Sequence, residues 1–312
     1  MFALRGTAVA LSCFVLLYCL ASAVVATAWR PVKSLRVAQQ SVATILFFLR
    51  VLPLALSAIV TFALVVPSFR LLEPRSMGEG LRATPLALSF CALLLITFGC
   101  LRVIASQART TRVATSWLDG ARPLQTNPES AVAFQSRRQT PPLTLVGLCH
   151  PRVLVSESAI ALLSPNELRI ALKHELEHMK SRDNLKKLVF RVCPFPGMAK
   201  LERAWAQSAE LAADDAAVSN QCDAIDLAAA LVKLSRLVSV EVAPVYSMEF
   251  VSGSISQRVA RLLAWDEVSK IGRVRIRTWF VIPPAVATTL LVTIAYGPVL
   301  RLTHEVTAWL AR

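Results

Sequence analysis

The chain predicts an α-helical membrane protein with four transmembrane helices and an inserted α+β domain. Hydrophobic residues make up 55% of its 312 residues and charged residues 17%, with a mean hydropathy of +0.54. That is too apolar for an ordinary soluble domain. Four apolar stretches, 7–28, 43–66, 85–104 and 279–300, are each near the length a helix needs to cross about 30 Å of hydrocarbon. Between the third and fourth, residues 105–277 carry helix-period patterns and short apolar runs that suit a small sheet. The expected organisation is a membrane region over 1–104, the inserted domain over 105–277, the fourth span over 279–300 and a short tail over 301–312.

The first stretch is apolar after Arg5. Ala21-Ser22-Ala23 would also suit a cleaved signal peptide, but the apolar run is long for one, which favours a retained helix. The second stretch holds Arg50, an ionisable residue within a span. It is expected near one membrane face, with its guanidinium reaching the headgroups. The third runs from Pro85 to Ile104, and residues 105–118 extend it as a helix. Arg30, Lys33 and Arg36 follow the first span without any acid, Arg109 and Arg112 follow the third, and Lys270, Arg273, Arg275 and Arg277 precede the fourth. Arg70, Arg75 and Arg82, between spans two and three, are partly offset by Glu73 and Glu79. The asymmetry favours an outside N-terminus, with 105–277 in the cytosol.

The net charge of +14 is placed by the same reasoning. Much of it flanks the spans, where anionic lipid attracts it. No aromatic–basic platform, zinc-finger spacing or recognition helix is present, so no direct nucleic-acid binding is expected. The seven cysteines form no C-x-x-C pair and read as reduced thiols.

Within the inserted domain, Gly120 to Pro128 reads as a linker. Residues 131–136, 143–146 and 152–155 read as strands. Ser164-Pro165-Asn166-Glu167 is a helix start, with serine as N-cap, proline at the first turn and glutamate three residues after the cap. Leu168, Ala171, Leu172 and Leu176 then recur at helical spacing, predicting a helix from Pro165 into the 180s. On it lies His174-Glu175-Leu176-Glu177-His178. Histidines four apart share a helix face, so both imidazoles can reach one metal ion. Glu175 projects beside that position, where it can take a proton from a metal-bound water. The plainer alternative is a solvated helix that happens to carry two histidines.

A catalytic zinc site needs a third protein ligand and one open position. Residues 198–218 read as a second helix carrying Glu210, the candidate third ligand. Asp214, one turn beyond, could accept a hydrogen bond from a ligand histidine; Asp215 is displaced around the helix. Residues 223–240 and 254–267 read as further helices, the last as packing.

The run PRVLVSESAIALLSPNELRIALKHELEHMKSRDNL, followed by AQSAELAADDAAV, resembles the peptidase domain of the BlaR/MecR family, bacterial integral-membrane zinc peptidases of the gluzincin type. It is more distantly similar to the Ste24/HtpX membrane proteases, which pair a histidine motif with E-x-x-x-D. The resemblance covers roughly 85–300 and is specific in 150–220. It implies a zincin-like metallopeptidase domain, with His174, His178 and Glu210 as Zn2+ ligands and Glu175 as general base. It also implies that Arg182-Asp183-Asn184 serves helix packing, and that an edge strand near Leu143–Leu148 pairs with extended substrate.

The implied chemistry is metal-assisted peptide hydrolysis, in which Glu175 takes a proton from water and returns one to the leaving amine. His150, Tyr246 and Arg191 could each stabilise the oxyanion, and their spacing selects none. His304 is expected across the membrane from the site. The implied setting is the bacterial inner membrane, with the bilayer and a protein or peptide substrate as partners. That substrate would be a transcriptional repressor or the chain itself. A membrane-protein quality-control protease and a non-catalytic signalling scaffold are the alternatives; the intact Glu175 argues against the scaffold. Sensor members of the family carry a penicillin-binding domain after the last span. Here about a dozen residues follow Leu300, so direct β-lactam sensing is not expected.

Overall fold

The structure, a computed structural model, describes residues 2–35, 37–73, 82–124, 133–136, 140–148, 151–192, 194–237, 248–266 and 295–311. It is mostly helical. Helix α1 (Phe2–Ala28) is followed by a 3-10 turn, Arg30–Ser34. Helix α2 (Gln39–Val60) continues through a π-turn, Thr61–Val65, into α3 (Val66–Leu72), and α4 runs from Ala83 to Leu118. These three rods, Phe2–Ser34, Gln39–Leu72 and Ala83–Leu118, are long and apolar enough to cross a membrane. The 36 residues of α4 extend about 54 Å, well beyond the hydrocarbon thickness. Its exposed Leu86, Phe90, Leu93, Leu94, Phe98, Leu101 and Ile104 mark the length that suits lipid.

Small polar residues hold α1 against α4. Ser12 Oγ donates to the Pro85 carbonyl at 3.0 Å, and Ser89 Oγ donates to the Ala8 carbonyl at 2.8 Å. Serines at such crossings let backbones approach and supply interhelical hydrogen bonds. At the same end of the rods, Arg5 pairs with Glu73 at 3.5 Å.

The inserted segment builds a four-stranded sheet from β1 (Arg122–Pro123), β2 (Ala133–Ser136), β3 (Leu143–Val146) and β4 (Arg152–Ser156). The order is β1-β2-β4-β3, with β2 and β4 parallel and the other pairs antiparallel. The last three strands fall within or against the short apolar runs that predict them, 131–136, 143–146 and 152–155, and β3 lies at an edge. After the short α5 (Glu157–Leu162) come α6 (Pro165–Lys180), α7 (Asp183–Val192), α8 (Ala199–Ala217), α9 (Gln221–Leu237) and α10 (Met248–Leu263). A last helix, α11, spans Tyr296–Ala311.

The predicted fourth span, 279–300, lies outside the described residues except at its end. Beyond it, 301–311 was expected as a tail and is helical, because α11 carries on through it. The helix expected to run from Pro165 into the 180s stops at Lys180. Arg182 takes a left-handed φ of 53°, and the chain restarts as α7 in a new direction.

Helix α8 is shared between two cores. Met198, Leu201, Ala204 and Trp205 pack on Val25, Trp29, Val42 and Leu46 of the first two rods, together with Phe190 of α7. Its later residues Ala217 and Val218 pack on Ile170 of α6, Leu227 of α9 and Leu262 of α10. The sheet closes on α6 and α9 through Val153, Val155, Leu168, Leu172 and Ala230, and on the end of α4 through Val146, Leu154 and Ala114.

Arg50 does not reach towards headgroups as expected. It is buried, at 4% exposure, where α2 meets α7 and α8. Its Nε donates to Glu202 Oε1 at 2.7 Å, its Nη2 donates to the Phe190 carbonyl at 2.8 Å, and its guanidinium covers the Phe190 ring. A buried guanidinium needs partners on every side, and the folded domain supplies them. Arg50→Leu is expected to destabilise the detergent-solubilised chain by about 2 kcal/mol, read from thermal unfolding. The loss is moderate because Glu202, one-third open to solvent, can rehydrate.

Candidate metal centre

The residues that could hold a metal are placed by helix signals that begin locally. Ser164 Oγ accepts from the Glu167 backbone N–H, and Glu167 Oε2 accepts from the Ser164 N–H at 2.8 Å, a reciprocal cap that fixes the first turn of α6. Lys233 of α9 pairs with the same glutamate at 2.7 Å. Three turns along, α6 presents His174 and His178 on one buried face. Helix α8 crosses that face and presents Glu210.

His174 Nε2 and His178 Nε2 lie 3.2 Å apart. The nearest Glu210 carboxylate oxygens are 3.6 Å from His174 Nε2 and 3.5 Å from His178 Nε2. The first distance runs to Oε2 and the second to Oε1; with one atom from each side chain the three donors lie within 4.8 Å of one another, close enough to share one ion. Among the described residues, these three form the group of histidine, cysteine and acid side chains that could hold a metal ion. Glu210 keeps 35% of its side chain open, which leaves a path for water.

Behind each imidazole stands a carboxylate. Asp214, buried one turn beyond Glu210, places Oδ1 3.0 Å from His174 Nδ1. The contact is close but oblique, since Nδ1 completes no aligned hydrogen bond. Asp183 Oδ2 lies 2.7 Å from His178 Nδ1 in a full hydrogen bond, and Lys186 holds the other Asp183 oxygen at 3.0 Å. The left-handed turn at Arg182 is what folds Asp183 back to the helix it has just left. This corrects the expectation that Arg182-Asp183-Asn184 serves packing alone. Asn184 also acts across elements: its amide donates to the Leu145 and Gly147 carbonyls at 3.1 and 3.3 Å, tying β3 to the start of α7.

A second correction concerns α10. Expected as packing, it sends Arg258 into the site. Arg258 donates from Nη1 to Glu210 Oε2 at 2.8 Å and from Nε and Nη2 to both Asp214 oxygens, at 2.8 and 2.6 Å. Nη2 also lies 3.4 Å from His174 Nε2.

The electrostatics favour a cation. Burial alone would lower the pKa of His178, but the Asp183 and Glu210 carboxylates outweigh it and push it up to about 10. His174 moves in the same direction, burial being outweighed by Asp214 and Glu210. Burial would raise Glu210, yet the two imidazoles and Arg258 hold its carboxyl well below the usual range. Glu175, half-buried on α6, adds its field to both His178 and Arg258. The carboxylates thus favour positive charge at the imidazoles, against the opposing field of Arg258 on His174, and a divalent ion would supply it in place of protons.

Of the other candidates, His150 and Tyr246 lie outside the described residues. Arg191 sits in the last turn of α7. His304 lies on α11, 3.8 Å from Glu73 and so grouped with Arg5. No protein-family model, curated protein or solved structure matches the chain.

Proposed function

We propose that this chain is a membrane-embedded zinc-dependent endopeptidase acting at the cytosolic face of a bacterial inner membrane. The observation that carries the reading is the donor group of His174, His178 and Glu210: the two Nε2 atoms lie 3.2 Å apart, and one ligand atom from each of the three residues lies within 4.8 Å of the others. Glu175 beside it separates this reading from a purely structural site, which needs ligands but no base. When bound, zinc would acidify a water and polarise a scissile carbonyl.

The chain's own residues then have distinct tasks. Asp214 and Asp183 stand at the Nδ1 atoms, so that each Nε2 is turned towards the metal. Glu175 takes the proton of the attacking water and passes one to the leaving amine. An extended peptide would pair with the outward groups of β3 at Leu143, because Asn184 already engages the carbonyls of Leu145 and Gly147. The substrate would be a protein, and the resemblance to BlaR/MecR peptidases favours a cytosolic repressor or the chain itself.

Elemental analysis of the detergent-purified chain tests the reading. About one zinc per chain is expected, lost in His174→Ala and in Glu210→Ala. A wild-type chain that stays empty after zinc resupply would sink it. Zinc retained in Glu210→Ala would mean that the third ligand lies elsewhere.

A further inference from the structure

The metal donors come from α6 and α8, yet the most heavily bonded side chain at the centre comes from α10. Arg258 is buried at 8% exposure and makes three short hydrogen bonds to two carboxylates one helical turn apart. Apart from the imidazoles, Arg258 is the one basic side chain paired with either acid among the described residues. His174 also touches both acids, Asp214 through Nδ1 at 3.0 Å and Glu210 through Nε2 at 3.6 Å, but with Nε2 turned to a metal, Arg258 would be left as the bridge that holds the two carboxylates together. The guanidinium is planar and rigid, and its fork can hold one carboxylate at two points while reaching a second.

We infer that Arg258 is a positioning residue, which clamps Glu210 and Asp214 as a pair so that the metal-binding face is assembled only when α10 is docked. The inference rests on the zinc reading above. Arg258 touches no scissile bond in it. It acts through Glu210, whose remaining oxygen it leaves free for the metal, and through Asp214, which orients His174.

The rest of the α10 seat supplies a control. Arg261 pairs with Asp215 at 2.5 Å, and Gln257 meets Gln207 at 2.7 Å. Both contacts dock α10 on α8 without touching a donor. A role confined to docking would therefore be shared by Arg261, whereas a role in ordering the donors would belong to Arg258.

The test is zinc affinity of the full chain in detergent, by competition with a chromophoric chelator, for Arg258→Ala, Arg258→Lys and Arg261→Ala. Loss of a group that orients metal ligands typically weakens metal binding by about 10- to 100-fold. Arg258→Ala is expected in that range, Arg258→Lys in between because it keeps the charge but not the fork, and Arg261→Ala within about threefold of wild type. Unchanged or tighter zinc binding by Arg258→Ala would overturn the inference while leaving the metal site intact. Equal losses in Arg258→Ala and Arg261→Ala would also overturn it, since docking alone would then explain both. If Arg258→Ala does not fold, Arg258→Lys decides: wild-type affinity refutes the clamp, and a measurable loss supports it. A wild-type chain that binds no zinc would remove the metal reading and this inference together.

Discussion

Glu175→Gln is expected to keep its zinc and to lose peptide hydrolysis by about 10²- to 10⁴-fold, the usual worth of a positioned general base. The substitution preserves the shape of the side chain and its place on α6, so the donor group should be undisturbed. It removes the one property the mechanism needs, a carboxylate able to accept a proton and give it back. Turnover of quenched-fluorescence peptide pools by purified wild-type and variant chains, with zinc content measured on the same samples, reads both halves. A variant that retains zinc and full turnover would show that another group moves the proton. A wild-type chain that binds zinc and cleaves nothing would favour the non-catalytic signalling scaffold.

The second large effect lies far from the metal. A Cβ built at Gly99 would fall on the backbone carbonyl of Val192, so α4 and the end of α7 approach as only glycine permits. Neither backbone can yield by rotating a side chain. Gly99→Ala is therefore expected to cost about 3 kcal/mol, at the upper end of overpacking penalties, and to lower the thermal midpoint in detergent by several degrees. Gly297→Ala is the matched control, because a Cβ there meets nothing within 4 Å. Equal behaviour of the two variants would mean that α7 does not dock on the third rod in solution. Because α7 also carries Asp183, Gly99→Ala should weaken zinc binding as well as the fold.

Much of the centre was legible in the sequence because its signals are local. The histidine pair is one turn of one helix, and the cap at Ser164 fixes where that helix starts. Glu210 and Asp214 are again one turn apart, on a helix whose alanine-rich face announces close packing. The two misses share a physical cause. Asp183 reaches His178 only because Arg182 adopts a left-handed turn, and nothing in helical periodicity foretells a reversal there. Arg258 is eighty-four positions from His174. Its one clue was its place on the stripe of Ile255, Val259 and Leu262, since an arginine on an apolar face must find an acid or stay unburied. Arg50 was misplaced for the same reason: its neighbours in sequence are membrane-like, while its neighbours in space, Glu202 and the Phe190 carbonyl, belong to the inserted domain.

The π-turn at Thr61–Val65 gives the second rod one residue more than an α-helix of equal rise would contain. One residue of surplus turns everything after it by about 100° around the axis. Phe69 lies after the turn, buried against Phe2 with ring centroids 4.9 Å apart, and a Cβ on Gly6 would come within 2.8 Å of its ring. The rod is thus phased twice: before the turn Val42 and Leu46 face α8 and the far end of α1, and after it Phe69 faces the first turns of α1. That surplus residue lets one continuous helix meet two surfaces whose angular demands differ, much as a vernier absorbs a mismatch between two scales.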